Sequence, residues 1–96
     1  MIGVIVTLSP ELPLDRDAVV KVAEGARPLF EGMPGLRQKA FTLDEDGGRA
    51  RNIYLWDDED AARAFFSDEL VERVTELYGV RPVLEFVEII ALVDNA

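Results

Sequence analysis

The fold of this chain is read outward from one stretch, Asn52-Ile53-Tyr54-Leu55-Trp56-Asp57. Its alternation predicts a β-strand, because successive side chains of a strand point to opposite faces. Asn52, Tyr54 and Trp56 would share one face, and the two aliphatic residues between them would share the other. An amide, a phenol and an indole in one row suit a pocket for a flat aromatic molecule better than they suit a packed core.

A β-hairpin is predicted around this strand. Leu36 to Leu43 and Ala50 to Trp56 both have strand composition, and the turn-forming segment Glu45-Asp46-Gly47-Gly48 lies between them. If Asp46-Gly47 is a two-residue turn, the numbers of paired residues sum to 93. The pairs on the shared face would then be Lys39 with Tyr54, Arg37 with Trp56, and Phe41 with Asn52. A Gly47-Gly48 turn would change the partners but keep the face, whereas a three-residue turn would bring Gln38 and Ala40 to it.

Two helical regions flank the hairpin. Asp15 is a candidate N-cap for a first amphipathic helix, which Pro28 should kink or end near Arg27. The acidic run Asp57 to Asp60 suits the start of a second helix, because negative charge is favourable at a helix N-terminus. Further predicted boundaries are a Ser67-Asp68 cap for a continuation of that helix and a stop at Gly79.

The predicted element order specifies an α+β fold. Strands at Ile2 to Leu8 and Val83 to Val93 complete a βαββαβ order, which is typical of a ferredoxin-like sandwich with both helical regions on one face of a four-stranded antiparallel sheet. The expected spatial order is 4-1-3-2. The last strand would then lie at an edge, although both of its faces are apolar. Since exposed edges are normally blunted by charge or proline, we expect a homodimer formed through the helix-free sheet face and this strand.

Composition excludes several functional classes. The 96 residues form one predicted domain, residues 1–96, and the net charge of −9 argues against nucleic acid and anionic membranes as partners. There is no cysteine or histidine, so thiolate and imidazole chemistry are ruled out. We expect no metal, because the acidic clusters lack the ligand spacing of a calcium loop. We find no signal peptide or membrane-spanning segment and expect a cytoplasmic protein of bacterial type.

The motifs of this chain resemble those of a known family. The residues that carry the resemblance are Met33-Pro34-Gly35-Leu36, then Lys39, then the stretch from Ile53 through Tyr54, Leu55, Trp56 and Asp57 to Phe65. The chain is similar to a small bacterial mono-oxygenase group of the dimeric α/β-barrel superfamily, related to the antibiotic-biosynthesis monooxygenases. The resemblance implies a dimeric α/β barrel with one pocket in each subunit, between the sheet and the helices. Haem-degrading relatives need a histidine ligand, which this chain lacks.

The resemblance also implies a function. Quinol-forming members oxidise polycyclic phenols with O₂ and without metal or flavin, and they use an Asn and a Trp four residues apart on this strand. Asn52 and Trp56 match that pair by type and spacing. We therefore expect a cofactor-independent monooxygenase for a small aromatic or polyketide-like phenol. An apolar-ligand binding protein without catalysis and a lactone isomerase-like enzyme remain alternatives, because a fold does not determine function.

Each candidate site residue also has a purely structural interpretation. In the functional one, Asn52 and Tyr54 bond the substrate oxygens, Trp56 stacks on the ring, and the Lys39 cation favours an ionised phenol. Arg37, Phe41, Phe65 and Phe66 would contribute to substrate binding. In the structural one, Asn52 bonds backbone near the turn, the aromatic residues are core, and both cations are solvated.

Overall fold

The sheet and helices have the predicted order. The computed structural model describes residues 1–9, 14–44 and 48–95. Its elements are β1 (Ile2–Leu8), α1 (Arg16–Phe30), β2 (Leu36–Ala40), β3 (Ala50–Trp56), α2 (Glu59–Phe65), α3 (Asp68–Tyr78) and β4 (Val83–Glu88). The strands form one antiparallel sheet in the order β2-β3-β1-β4, which is the predicted order 4-1-3-2. The ferredoxin-like α+β prediction is therefore confirmed.

The β2–β3 register agrees with the prediction in part. Lys39 pairs with Tyr54, as predicted, so these two side chains share a face of the sheet. The register shifts between Leu36 and Gln38, and Leu36 takes the place opposite Trp56. The predicted pairing of Arg37 with Trp56 is therefore wrong, because the irregularity at Arg37 adds one residue to β2.

Strand β2 is also shorter than predicted. It ends at Ala40 instead of Leu43, because beyond it the Thr42 hydroxyl replaces backbone groups in the pairing. This hydroxyl donates to the Arg51 carbonyl and accepts the Arg51 N–H at 3.0 Å. The predicted pairing of Phe41 with Asn52 therefore lies beyond the end of β2. The Asp46-Gly47 turn lies outside the described residues.

The helix boundaries follow from their capping residues. Asp15 caps α1 through a 3.3 Å bond to the Ala18 N–H, as predicted. The expected end near Arg27 is wrong, since α1 continues to Phe30 with Pro28 inside it. The helix continues past Pro28, since the Glu31 N–H bonds to the Arg27 carbonyl at 3.1 Å, although the proline has no N–H to bond to the Glu24 carbonyl.

The predicted start of the second helix in the acidic run, the predicted Ser67 cap and the predicted stop at Gly79 are confirmed. Asp58 accepts the Ala61 N–H at 2.8 Å to begin α2, and Ser67 caps α3 through the Leu70 N–H. Helix α3 ends at Gly79, whose φ of 72° places it in the left-handed region. None of the helices in the described part of the chain is long and apolar enough to cross a membrane.

The core lies on the helix side of the two central strands, β1 and β3. The fully buried side chains Trp56 and Val4 lie on the helix side, where β1 and β3 pack with Ala62 of α2. Helix α1, in contrast, has no buried residue although one of its faces is apolar. The sheet and α1 are therefore separated by space that side chains do not fill.

The helix-free face of the sheet exposes several apolar side chains. Ile53 is 50% exposed on β3, and Val83 and Val87 on β4 are 58% and 40% exposed. β4 ends at Glu88, so the predicted strand to Val93 is too long. Ile90, Leu92 and Val93 follow it as exposed, non-strand residues. In this single chain they pair with no neighbouring strand among the described residues.

Candidate functional site

A cavity of about 350 Å³ lies between the helix side of the sheet and the apolar faces of α1 and α3. Its described lining is mostly aliphatic and aromatic. Five lining residues carry polar groups: Asp15, Lys39, Asn52, Tyr54 and Tyr78. A concave apolar site with a few convergent polar groups has the usual character of a small-molecule pocket.

Lys39 places its ammonium group inside an aromatic cage. Its Nζ lies 3.5 Å from the ring centre of Phe30, 4.1 Å from that of Phe41 and 4.5 Å from that of Tyr54. No carboxylate forms a salt bridge with Lys39 in the described residues. Burial lowers the pKa of Lys39 to about 7, while the negative faces of the rings favour the cation and oppose that effect.

Tyr54 lies at the centre of the site. Only 6% of the residue is exposed, and its ring contacts those of Phe30, Phe65 and Phe66 in edge-on or tilted geometry. Burial, and secondarily the Tyr78 phenol, raise the pKa of Tyr54. The Tyr54 hydroxyl therefore stays protonated and can donate a hydrogen bond to a ligand oxygen.

The side-chain oxygen of Asn52 is hydrogen-bonded to the backbone, which fixes the orientation of the amide. Its Oδ1 accepts the backbone N–H of Thr42 at 3.2 Å, which is the backbone bond of the structural interpretation. Because a backbone N–H requires an acceptor, this contact identifies the oxygen and leaves the Asn52 NH₂ as the group available to the cavity. The available Asn52 group is thus a donor, suited to a negatively charged or carbonyl oxygen.

Trp56 and Arg37 lie away from the cavity. Trp56 is 1% exposed and is not among the described lining residues. Its ring is nearly parallel to that of Tyr54, with centroids 6.2 Å apart, and its Nε1 is buried without a hydrogen-bond partner within the described structure. Arg37 pairs with Asp57 at 2.6 Å on the surface. Trp56 thus packs beside Tyr54 in the core. Arg37 lies on the surface and does not line the cavity in the described residues.

The predicted aromatic residues do reach the cavity. Phe41, Phe65 and Phe66 all line it, and Phe65 and Phe66 also pack against the core. Phe30 and Tyr78 also line the cavity, although neither was among the predicted site residues. Each ends an apolar helical stripe, and nothing in the spacing distinguished them from ordinary core residues. No group of three or more acidic, histidine or cysteine side chains is placed to hold a metal ion in ranges 1–9, 14–44 and 48–95.

Comparison with solved structures identifies the fold. The monooxygenase of the ActVA-Orf6 gene of Streptomyces coelicolor, in complex with nanaomycin D, superposes with a TM-score of 0.73 at 22% identity, covering 99% of this chain and 92% of its own. The fold is that of the antibiotic-biosynthesis monooxygenases. This confirms at the level of fold the resemblance seen in the sequence.

Other solved structures share the fold. SnoaB, a cofactor-independent oxygenase from Streptomyces nogalater, gives a TM-score of 0.65 at 15% identity, with 95% of this chain and 94% of SnoaB covered. A Bordetella bronchiseptica protein provisionally named an antibiotic biosynthesis monooxygenase gives 0.66 at 20% identity, covering 94% and 97%. No family model matches the sequence, and no curated protein does.

Proposed function

We propose that this protein is a cofactor-independent monooxygenase acting on a small aromatic or polyketide-like phenol bound in the cavity. The observation that carries the proposal is the position of Lys39, Asn52 and Tyr54 on the sheet wall of a mostly apolar cavity. The nanaomycin D complex and the cofactor-independent oxygenase among the structures of the same fold support it.

The proposed reaction assigns a role to each polar group. The apolar walls hold the flat rings of the substrate, while the Asn52 NH₂ and the Tyr54 hydroxyl donate hydrogen bonds to its oxygens. The positive charge of Lys39 favours the ionised phenol, which reacts with O₂. One oxygen atom of O₂ enters the substrate, and the other leaves as water with the two hydrogens that the substrate loses. Trp56 holds Tyr54 in place and does not stack on the substrate.

An oxygen-electrode assay with a panel of anthrones and quinols tests this proposal. We expect O₂ consumption above a denatured control, and a loss of about tenfold or more in kcat/KM for Asn52→Ala, because a donor to a developing negative charge is removed. Gln38→Ala is the matched control, since it removes an exposed amide from the neighbouring strand. No consumption across the panel, or full activity of Asn52→Ala, contradicts the proposal.

A binding protein without catalysis is the second candidate function. It is favoured by the position of Trp56, since one of the two residues implied to be catalytic lies outside the cavity lining. Such a protein would bind aromatic ligands without consuming O₂, and Lys39→Met would leave its affinity unchanged. Product analysis separates both candidates from a lactone isomerase-like enzyme.

We also propose that two copies of the chain pair through their helix-free sheet faces, with the last strand at the contact. The exposed apolar side chains of Ile53, Val83 and Val87 support this, because such a surface is covered in a stable protein by another apolar surface. The cytoplasmic and bacterial assignments stay predictions from the sequence.

A further inference from the structure

Lys39 has an unusual environment for a lysine. Its ammonium group lies against three aromatic rings, whereas buried ammonium groups are normally paired with carboxylates. The acidic residue of the described lining, Asp15, already accepts the Ala18 N–H as the N-cap of α1. Lys39 therefore has no described counterion to hold it in the charged form.

Two opposing effects bring both protonation states of Lys39 within reach. Removal from water penalises the ammonium, while the ring faces of Phe30, Phe41 and Tyr54 stabilise it. Burial alone lowers the pKa of Lys39 to about 7, which makes the neutral amine available at neutral to mildly alkaline pH. A neutral amine has a lone pair that can accept a proton, which an exposed lysine offers only under alkaline conditions.

We infer that Lys39 is the general base of the site and accepts the hydroxyl proton of a bound phenol on its Nζ. This inference rests on the proposed function and deepens it. The O–H bond of the phenol breaks, its electron pair stays on oxygen, and a new N–H bond forms on Nζ. The products are a phenolate and an ammonium side by side, so the proton needs no other acceptor.

The other titratable groups of the cavity are poor bases for this step. The raised pKa of Tyr54 keeps its hydroxyl protonated, and Tyr78, which faces it from α3, is also a phenol. The Asp15 carboxylate is engaged at the N-terminus of α1, and the Asn52 amide does not titrate. Lys39 is thus the described lining group that combines a free lone pair with a position beside Asn52 and Tyr54.

A proton count distinguishes a base from a fixed positive charge. The probe is a hydroxyanthraquinone, whose visible absorbance reports whether its phenol is ionised. Binding is measured at about pH 8, above the Lys39 pKa of about 7, by calorimetry in buffers of different ionisation enthalpy, which gives the net protons released. The proteins are wild type, Lys39→Arg, Lys39→Met and, as matched control, Lys21→Arg, which alters an exposed lysine of α1.

The expected results differ between the variants. Wild type and Lys21→Arg should bind the probe as a phenolate with almost no proton released, because Lys39 takes the proton. Lys39→Arg should also bind a phenolate but release a full proton to the buffer, since arginine is already charged. Lys39→Met should bind the neutral phenol. With a turned-over substrate, the rise of kcat/KM near pH 7 should be lost in Lys39→Arg.

Failure of the inference can be told apart from failure of the proposed function. Release of a full proton by wild type, or binding of the un-ionised probe, overturns the base role even where O₂ is consumed. If neither the probe nor any anthrone or quinol binds, the proposed function fails, and the base role fails with it.

Discussion

Lys39 and Tyr54 lie opposite each other on β2 and β3, and the Lys39 Nζ is 4.5 Å from the centre of the Tyr54 ring. This pair places a cation with a lowered pKa beside a phenol with a raised one. Both shifts arise first from burial, which disfavours the charged form of either group. Lys39 therefore loses its proton more readily than an exposed lysine, and Tyr54 keeps its proton to higher pH than an exposed tyrosine.

The lowered pKa of Lys39 has a consequence for stability. Between about pH 7 and the ordinary lysine value of 10.5, the unfolded chain binds more protons at this position than the folded one. Stability therefore rises with pH across this window, and the cost of burying the ammonium is complete below it. We expect the free energy of unfolding of wild type to increase relative to that of Lys39→Met between neutral pH and about pH 10. Urea denaturation over this range measures it, and a constant difference would contradict it.

Filling the cavity should separate ligand binding from stability. Ala23 of α1 lines the cavity, so Ala23→Leu would place extra apolar volume inside it. We expect an unchanged or higher melting temperature and aromatic-ligand affinity weakened by about tenfold or more. Ala64→Leu, at an exposed position of α2, is the control and should bind as wild type does. Equal affinity of both variants would place the ligand elsewhere.

Gly35 is required at the turn before β2. Its φ is +82°, and an added Cβ would lie 2.9 Å from the Ala61 Cβ. Gly32 has a similar φ of +74° but open space around it. We expect Gly32→Ala to destabilise by about 1 kcal/mol through backbone strain, and Gly35→Ala by about 2 kcal/mol or more because α2 must also move. Thermal and urea denaturation would show the difference, and equal losses would exclude the steric effect.

The ion pair of Arg37 with Asp57 should matter little. Both side chains are 53% exposed, and exposed pairs contribute about 0–1 kcal/mol. Arg37→Met should therefore retain ligand affinity and lose at most about 1 kcal/mol of stability. A large loss of affinity, measured by ligand titration, would support the prediction from the sequence that Arg37 binds substrate.

A charge on the helix-free face should prevent pairing of two chains. Ile53 lies on this face, and Ile53→Glu would bury a carboxylate in the proposed contact. We expect wild type to have the mass of two chains by light scattering at micromolar concentration, and Ile53→Glu to have the mass of one. Val20→Glu, on the exposed part of α1, should remain paired. A wild-type mass of one chain would refute the proposal.

Local patterns were sufficient to predict most of the fold. Capping by Asp15 and Ser67, the acidic start of α2 and the left-handed Gly79 follow from sequence signals that act over a few residues. The strand order follows from the order of the elements along the chain. The bulge at Arg37 was not predictable in this way. It depends on how the turn at Gly35 meets the end of β3, where the Asp57 N–H bonds to the Gly35 carbonyl.

The sequence predicted which site residues share one face of the sheet, but not which of them line the cavity and which are covered by a helix. Alternation correctly placed Asn52, Tyr54 and Trp56 on the helix side, and the register added Lys39. Whether each side chain lines a cavity or is covered depends on where the helices stand above the sheet. Trp56 is covered where α2 packs onto the sheet, whereas Asn52 and Tyr54 line the cavity, so residues of the same row have different surroundings.

The absence of buried residues on α1 means that this helix has an apolar face without a protein partner of its own. A bound aromatic molecule would fill the space beneath α1 and act as the missing interior of the domain. Such a ligand can be detected because it raises the melting temperature of the protein. A ligand concentration of a hundred times Kd increases the free energy of unfolding by about 2.7 kcal/mol. A melting-temperature screen of aromatic metabolites therefore offers a way to find the natural substrate without assuming which reaction it undergoes.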